Sequence, residues 1–144
     1  MGKEDNEVKR MDAAKNNITK LLEMVEFFMA KTGGKKEFVD MKSNIEMANR
    51  MAGPITIIQY TSKYFLMFKA DIIAKNIEHL LNYDYAKLIE EGTATDTEIL
   101  IRNLISGIKK VWMTGDAETQ NKIKKYIFIL LKYSIIYDTA TKAR

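Results

Sequence analysis

At 144 residues the chain has the length of one domain, and its 47% hydrophobic and 29% charged residues are a globular balance that excludes intrinsic disorder. It contains no cysteine, which excludes disulfides, thiolate catalysis, zinc–thiolate sites and iron–sulfur clusters, and makes a reducing intracellular compartment such as the cytoplasm the expected setting. A net charge of +4 permits a polyanionic partner without requiring one.

The first stretch is charged and polar to Asn17 with no apolar run behind it, which is not the pattern of a secretory signal. Gly2 is not followed by the Ser or Thr at position 6 that myristoylation requires, because that residue is Asn6. Met11, Ala14, Ile18, Leu21, Val25 and Phe28 step by alternating threes and fours, with Leu22 and Met29 widening the stripe, so the spacing predicts an amphipathic helix. Inside that pattern the Asn17-Ile18-Thr19 sequon reads as chance. Thr32-Gly33-Gly34 supplies the stop. The following Lys35-Lys36 gives a superficial phosphate-loop look. The earlier Gly and the Ser or Thr after the Lys are both missing, and the segment follows a helix rather than a strand.

A second helix places Phe38, Met41, Ile45, Ala48 and Ala52 on one face and ends at Gly53-Pro54. The third segment, Pro54 to about Asn82, is the most apolar: Ile55, Ile57, Ile58, Tyr60, Tyr64, Phe65, Leu66, Met67 and Phe68 leave no wide polar face. It is expected to be one long helix enclosed by the others. Gln59, Lys63, Lys69 and Asp71 interrupt it before the roughly 20 residues that a bilayer span needs, so no membrane span is expected. A short helix over Asp84–Glu91 closes at Gly92. Thr95-Asp96-Thr97-Glu98 then has the capping-box pattern that opens a fifth helix, with Ile99, Ile101, Leu104, Ile105, Ile108, Val111 and Trp112 on its apolar side. After Thr114-Gly115, Asp116 caps a sixth helix whose core line is Ile123, Ile127, Leu130, Ser134 and Tyr137, flanked by Tyr126, Leu131 and Ile135. The expected fold is all-α: a single domain over 1–144, a compact bundle of five or six helices around a central apolar helix at about 54–82.

No catalytic, cofactor-binding or metal-binding set is expected. The one histidine, His79, has Lys75 and Tyr83 four residues away and therefore no helix-spaced carboxylate with which to share a metal. Glu23 with Glu26, and Glu90 with Glu91, lack the Glu-x-x-His motifs of bundle metal sites and read as solvated faces. The proton-transfer and nucleophile sets of an enzyme are missing, and the chain is expected not to be one.

Two contact surfaces stand out. Lys109, Lys110, Lys122, Lys124 and Lys125 gather near the last hairpin as a candidate polyanion-binding patch, with Trp112 between them and the charge excess concentrated in 116–144. Tyr60, Tyr64, Trp112, Tyr133 and Tyr137, with Tyr83 and Tyr85, are candidate protein-contact aromatics, and nine Met residues add adaptable apolar surface. The expected function is a non-catalytic structural or interaction protein, a helical subunit packing against itself or other protein subunits. The alternative is a nucleic-acid-associated helical protein using the Lys-rich hairpin. Phe, Tyr, Met, Ile, Asn and Lys dominate and Lys far outnumbers Arg, the bias of an AT-rich genome, which makes a small virion component one concrete version.

Overall fold

The computed structural model describes residues 2–85 and 95–143. Among these it contains seven helices and no strand. They are α1 (Lys3–Lys31), α2 (Lys36–Met51), α3 (Pro54–Met67), α4 (Lys69–Ile73), α5 (Glu78–Asn82), α6 (Asp96–Thr114) and α7 (Ala117–Lys142). The helix predicted over Asp84–Glu91 and the pair Glu90–Glu91 fall outside the described residues, apart from Asp84 and Tyr85.

The boundaries follow local chemistry. At the end of α1, Gly33 adopts φ 69° and the Gly34 amide donates to the Met29 carbonyl, satisfying an orphan acceptor of the last turn. Gly53, at φ 89°, does two tasks: its amide donates to Ala48 and Asn49, and Pro54 behind it starts α3. The α6–α7 turn is closed by Asp116, whose Oδ1 accepts from the Thr119 amide at 2.8 Å, while Gln120 Nε2 donates to the Trp112 carbonyl at 2.9 Å.

The segment predicted as one helix over 54–82 is instead three pieces. At Phe68 the amide donates to Phe65 rather than continuing the four-residue ladder, and φ −112°, ψ 22° turns the chain. At the end of α4, the Lys75 amide donates to Ile72 and the Asn76 amide to Asp71, the double bond pattern of a Schellman stop with Lys75 in the left-handed position at φ 65°. Asn76 Oδ1 then accepts from the Glu78 amide at 3.2 Å and launches α5. Neither break carries the Gly or Pro that usually announces one, so apolar periodicity ran through them.

α1 and α7 lie antiparallel along their length. Arg10 Nε donates to Thr141 Oγ1 at 2.9 Å at one end, and the Phe27 and Tyr126 rings meet at 5.9 Å toward the other. α3 packs against α1, α7, α6 and α2, burying Ile57, Ile58, Thr61, Tyr64 and Phe65. α2 folds back on α1 through Phe28–Phe38 and Lys42–Glu26, and lies against α6, where Gly107 admits Met41 and Phe38: a Cβ there would stand 3.0 Å from Met41 Cε. The main core joins Leu21, Met24, Val25, Phe28, Phe65, Ile105, Ile108 and Ile127. Within it, Asn17 is fully buried and donates to Thr61 Oγ1 at 3.3 Å, so its amide is closed to glycosylation in the folded chain. Met11, Ala52, Met67 and Ile99, placed by the pattern on apolar surfaces, are exposed, while Ala13 and Met24, off the predicted stripe of α1, are buried. Among the described residues no helix is long and apolar enough to cross a membrane.

Candidate functional site

The most polar buried feature joins α3 to α6. Thr95 caps α6 by accepting from the Glu98 amide at 3.1 Å, but Glu98 does not turn its side chain back to complete the capping box. Its carboxylate points inward, 6% exposed, and Oε2 accepts from Lys63 Nζ and Tyr64 OH at 2.5 Å each, with Arg102 Nη2 at 3.5 Å. Arg102 Nε donates to Tyr64 OH at 2.8 Å. Burial pushes the Glu98 carboxyl up, but hydrogen bonds from Lys63 and Tyr64 and the charges of Lys63 and Arg102 outweigh it, so it titrates below its ordinary value of 4.5. Tyr64 is pushed up to about 12, first by burial and then by its bond to Glu98, with Arg102 opposing. Tyr64 also meets Tyr85 edge-on at 5.4 Å, Tyr85 meets Tyr83 at 5.0 Å, and Phe68 meets Tyr83 at 5.7 Å, a chain of rings that ties the exit of α5 to α3. This set is a clasp, since its side chains bond one another, with Arg102 Nη1 alone among its buried donors left without a partner, and none lines either surface cleft described next.

The first cleft, about 490 Å³, lies between the α4–α5 turn and α7. Ile72, Ile77, Phe128 and Ile129 form an apolar floor, and Lys75, Lys124 and Lys125 stand at its edge with Asn121. Phe128 is 50% exposed. The second, about 460 Å³, lies between α2 and α6, where Met47, Met51, Ile99 and Leu100 supply apolar surface. Met51 is 81% exposed.

The five lysines of the candidate polyanion patch meet different neighbours. Lys110 is paired with Glu37 of α2 at 2.9 Å, Lys122 lies over the Phe27 ring of α1 at 5.2 Å, and Lys124 lies over Trp112 of α6 at 5.7 Å. Lys125 joins Lys124 at the first cleft, and Lys109 is half-buried. Of the candidate contact aromatics, Tyr64 and Tyr137 are buried and are corrected to core residues: Tyr64 belongs to the clasp, and Tyr137 packs with Ala13, Ala14 and Ile58 beneath Arg10. Tyr60, Trp112 and Tyr133 are half-buried. The helix wheel places an aromatic on a face but does not say which neighbour covers that face. The surface apolar residues that periodicity passed over, Met47, Met51 and Phe128, carried one legible signal: each sits off its helix's core line.

His79 has a carboxylate neighbour after all. The break at 74–76 folds α5 back so that His79 Nδ1 stands 3.1 Å from Asp71 Oδ2, an arrangement a continuous helix would not permit. Among the described residues no group of three or more His, Cys, Asp or Glu side chains is placed to hold a metal ion. Comparison with family models, curated proteins and solved structures finds no match to this chain.

Proposed function

We propose that this chain works by contact rather than by chemistry, as a helical interaction subunit that packs into a larger homo- or hetero-assembly, with a small virion component as one version. The observation that carries the reading is the exposure of large apolar side chains at two clefts: Met47, Met51 and Ile99 between α2 and α6, and Phe128 beside α4. Exposed apolar surface gathered at concavities marks interaction sites more than scattered single residues do. Methionine suits such a role because its unbranched thioether chain adapts to a partner's shape. The groups best suited to proton transfer, Glu98 and Tyr64, are engaged with each other and with Lys63 and Arg102, which supports a structural role for them.

The nucleic-acid alternative draws less support. Lys110 is already neutralised by Glu37, and Lys122 leans onto the Phe27 ring of α1 rather than joining Lys124 and Lys125 at the first cleft. The contact reading is tested by the mass of the chain in its native preparation. A species heavier than the 16.6 kDa monomer is expected. A strictly monomeric chain that chemical cross-linking joins to nothing refutes it.

A further inference from the structure

Resting on that reading, we infer that the cleft between the α4–α5 turn and α7 receives an acidic amphipathic helix of a partner protein. Apolar side chains of the partner enter over Phe128, and its flanking carboxylates meet Lys75, Lys124 and Lys125.

The floor sets the apolar half of the recognition. Ile72 and Ile77 are almost fully buried, so they make a fixed base, while Phe128 stands half out of it as an anchor that a partner can cover. A helix laid in a groove presents apolar residues at i, i+3 or i+4, and i+7, and this open cleft with its apolar floor accepts side chains of that kind.

The rim sets the charged half. Lys20, Lys42, Lys63, Lys110 and Lys142 each have a carboxylate within 4 Å. Lys75, Lys124 and Lys125, like most other lysines, have no such ion pair among the described residues; what distinguishes them is that all three stand at the edge of one apolar cleft, with only Lys124 having a ring neighbour, Trp112. Lys75 is also the one non-glycine residue with positive φ among the described residues, at 65°. The left-handed geometry of the α4 stop is thus kept at a strained position that holds a cation at the cleft's edge.

The same surroundings argue against a polyphosphate. Asp71 and Glu78 sit on α4 and α5, and Asp116 and Glu118 at the start of α7, so the basic character is confined to a rim and does not run on as a stripe. Single-stranded nucleic acid is bound along continuous basic grooves with several stacking rings, whereas this floor has three isoleucines and one ring. A few carboxylates around an apolar patch fit both features.

The test is a displayed library of helical 16-residue peptides, randomised in charge and apolar pattern and selected against the intact chain. Selected peptides should be net acidic, with apolar residues at i, i+3 or i+4, and i+7. Binding of the resynthesised peptides should fall roughly thirtyfold for Phe128→Asp and roughly tenfold for Lys124→Gln with Lys125→Gln. Both variants should keep the parent's helical circular dichroism. Selected peptides that are neutral or basic, peptides indifferent to Phe128→Asp, an empty selection, or tighter binding of a 20-residue oligothymidylate or of anionic phosphatidylserine vesicles through the same residues each overturn the inference. The contact reading is judged separately by native mass. A native assembly together with an empty selection therefore removes this occupant and leaves that reading standing.

Discussion

Replacing Glu98 by Ala is the sharpest stability test, because one substitution takes the carboxylate from two buried groups at once. Arg102 is 6% exposed and loses the carboxylate that neutralises it, and Tyr64, fully buried, loses the acceptor of its hydroxyl. Breaking a buried charge pair by removing one member costs about 3–5 kcal/mol. For a chain of this length that lowers Tm by about 10–15 °C. Lys63 supplies the internal comparison. Its amine touches the same carboxylate oxygen, yet its side chain is half in water, so Lys63→Met should cost less than about 1 kcal/mol. A triple variant, Glu98→Leu with Arg102→Met and Tyr64→Phe, removes the three buried polar members together, leaves the half-exposed Lys63 to water, and is expected to recover most of the loss. Urea unfolding followed by circular dichroism measures all three. A Glu98→Ala protein within about 1 kcal/mol of the parent would show that the α3–α6 clasp is not held by this carboxylate.

Other outcomes follow from the same geometry. The Glu98 carboxyl is depressed in the folded chain, so its stabilisation is present above 4.5 and is lost as pH falls through the lower folded value. Asp116, depressed by the Thr119 amide and hydroxyl, acts in the same direction below 3.8. An acid titration of Tm should therefore fall steeply below pH 4.5, and Glu98→Gln should flatten the upper part of that fall. Lys75→Gly relieves a left-handed strain of about 1–2 kcal/mol, offset by about 0.4–1 kcal/mol of added unfolded-state freedom, so a small net gain in urea-unfolding stability is expected. Thr95→Ala removes the α6 cap and should cost about 1 kcal/mol. Binding to single-stranded DNA should be weak and lack the steep salt slope of a multi-phosphate contact; a steep slope abolished by Lys122→Gln, Lys124→Gln and Lys125→Gln would favour the nucleic-acid alternative.

Helix class and most helix ends were legible because glycine and proline mark them: Gly33-Gly34, Gly53-Pro54 and Gly115-Asp116 all fall where a helix stops or starts. The breaks at Phe68 and Lys75–Asn76 were not, since a Schellman stop with Lys in the left-handed position leaves no compositional trace. The fate of Glu98 shows a second limit. Its spacing from Thr95 matches a capping box, and the local half of that motif forms, but Lys63 and Tyr64 more than thirty residues away claim the carboxylate. Periodicity assigns a residue to a face, and only packing decides whether that face is covered. Periodicity alone therefore leaves the burial of Tyr64 and the exposure of Ile99 open, and does not gather Phe128 with Lys124 and Lys125 into one surface.

The contact role is tested most directly by placing charge on both clefts at once, through Met51→Asp and Phe128→Asp, and weighing the native species by analytical ultracentrifugation. Loss of the heavier species to a 16.6 kDa monomer of unchanged helical content is the predicted result. An assembly whose mass is indifferent to both charges would contradict the account.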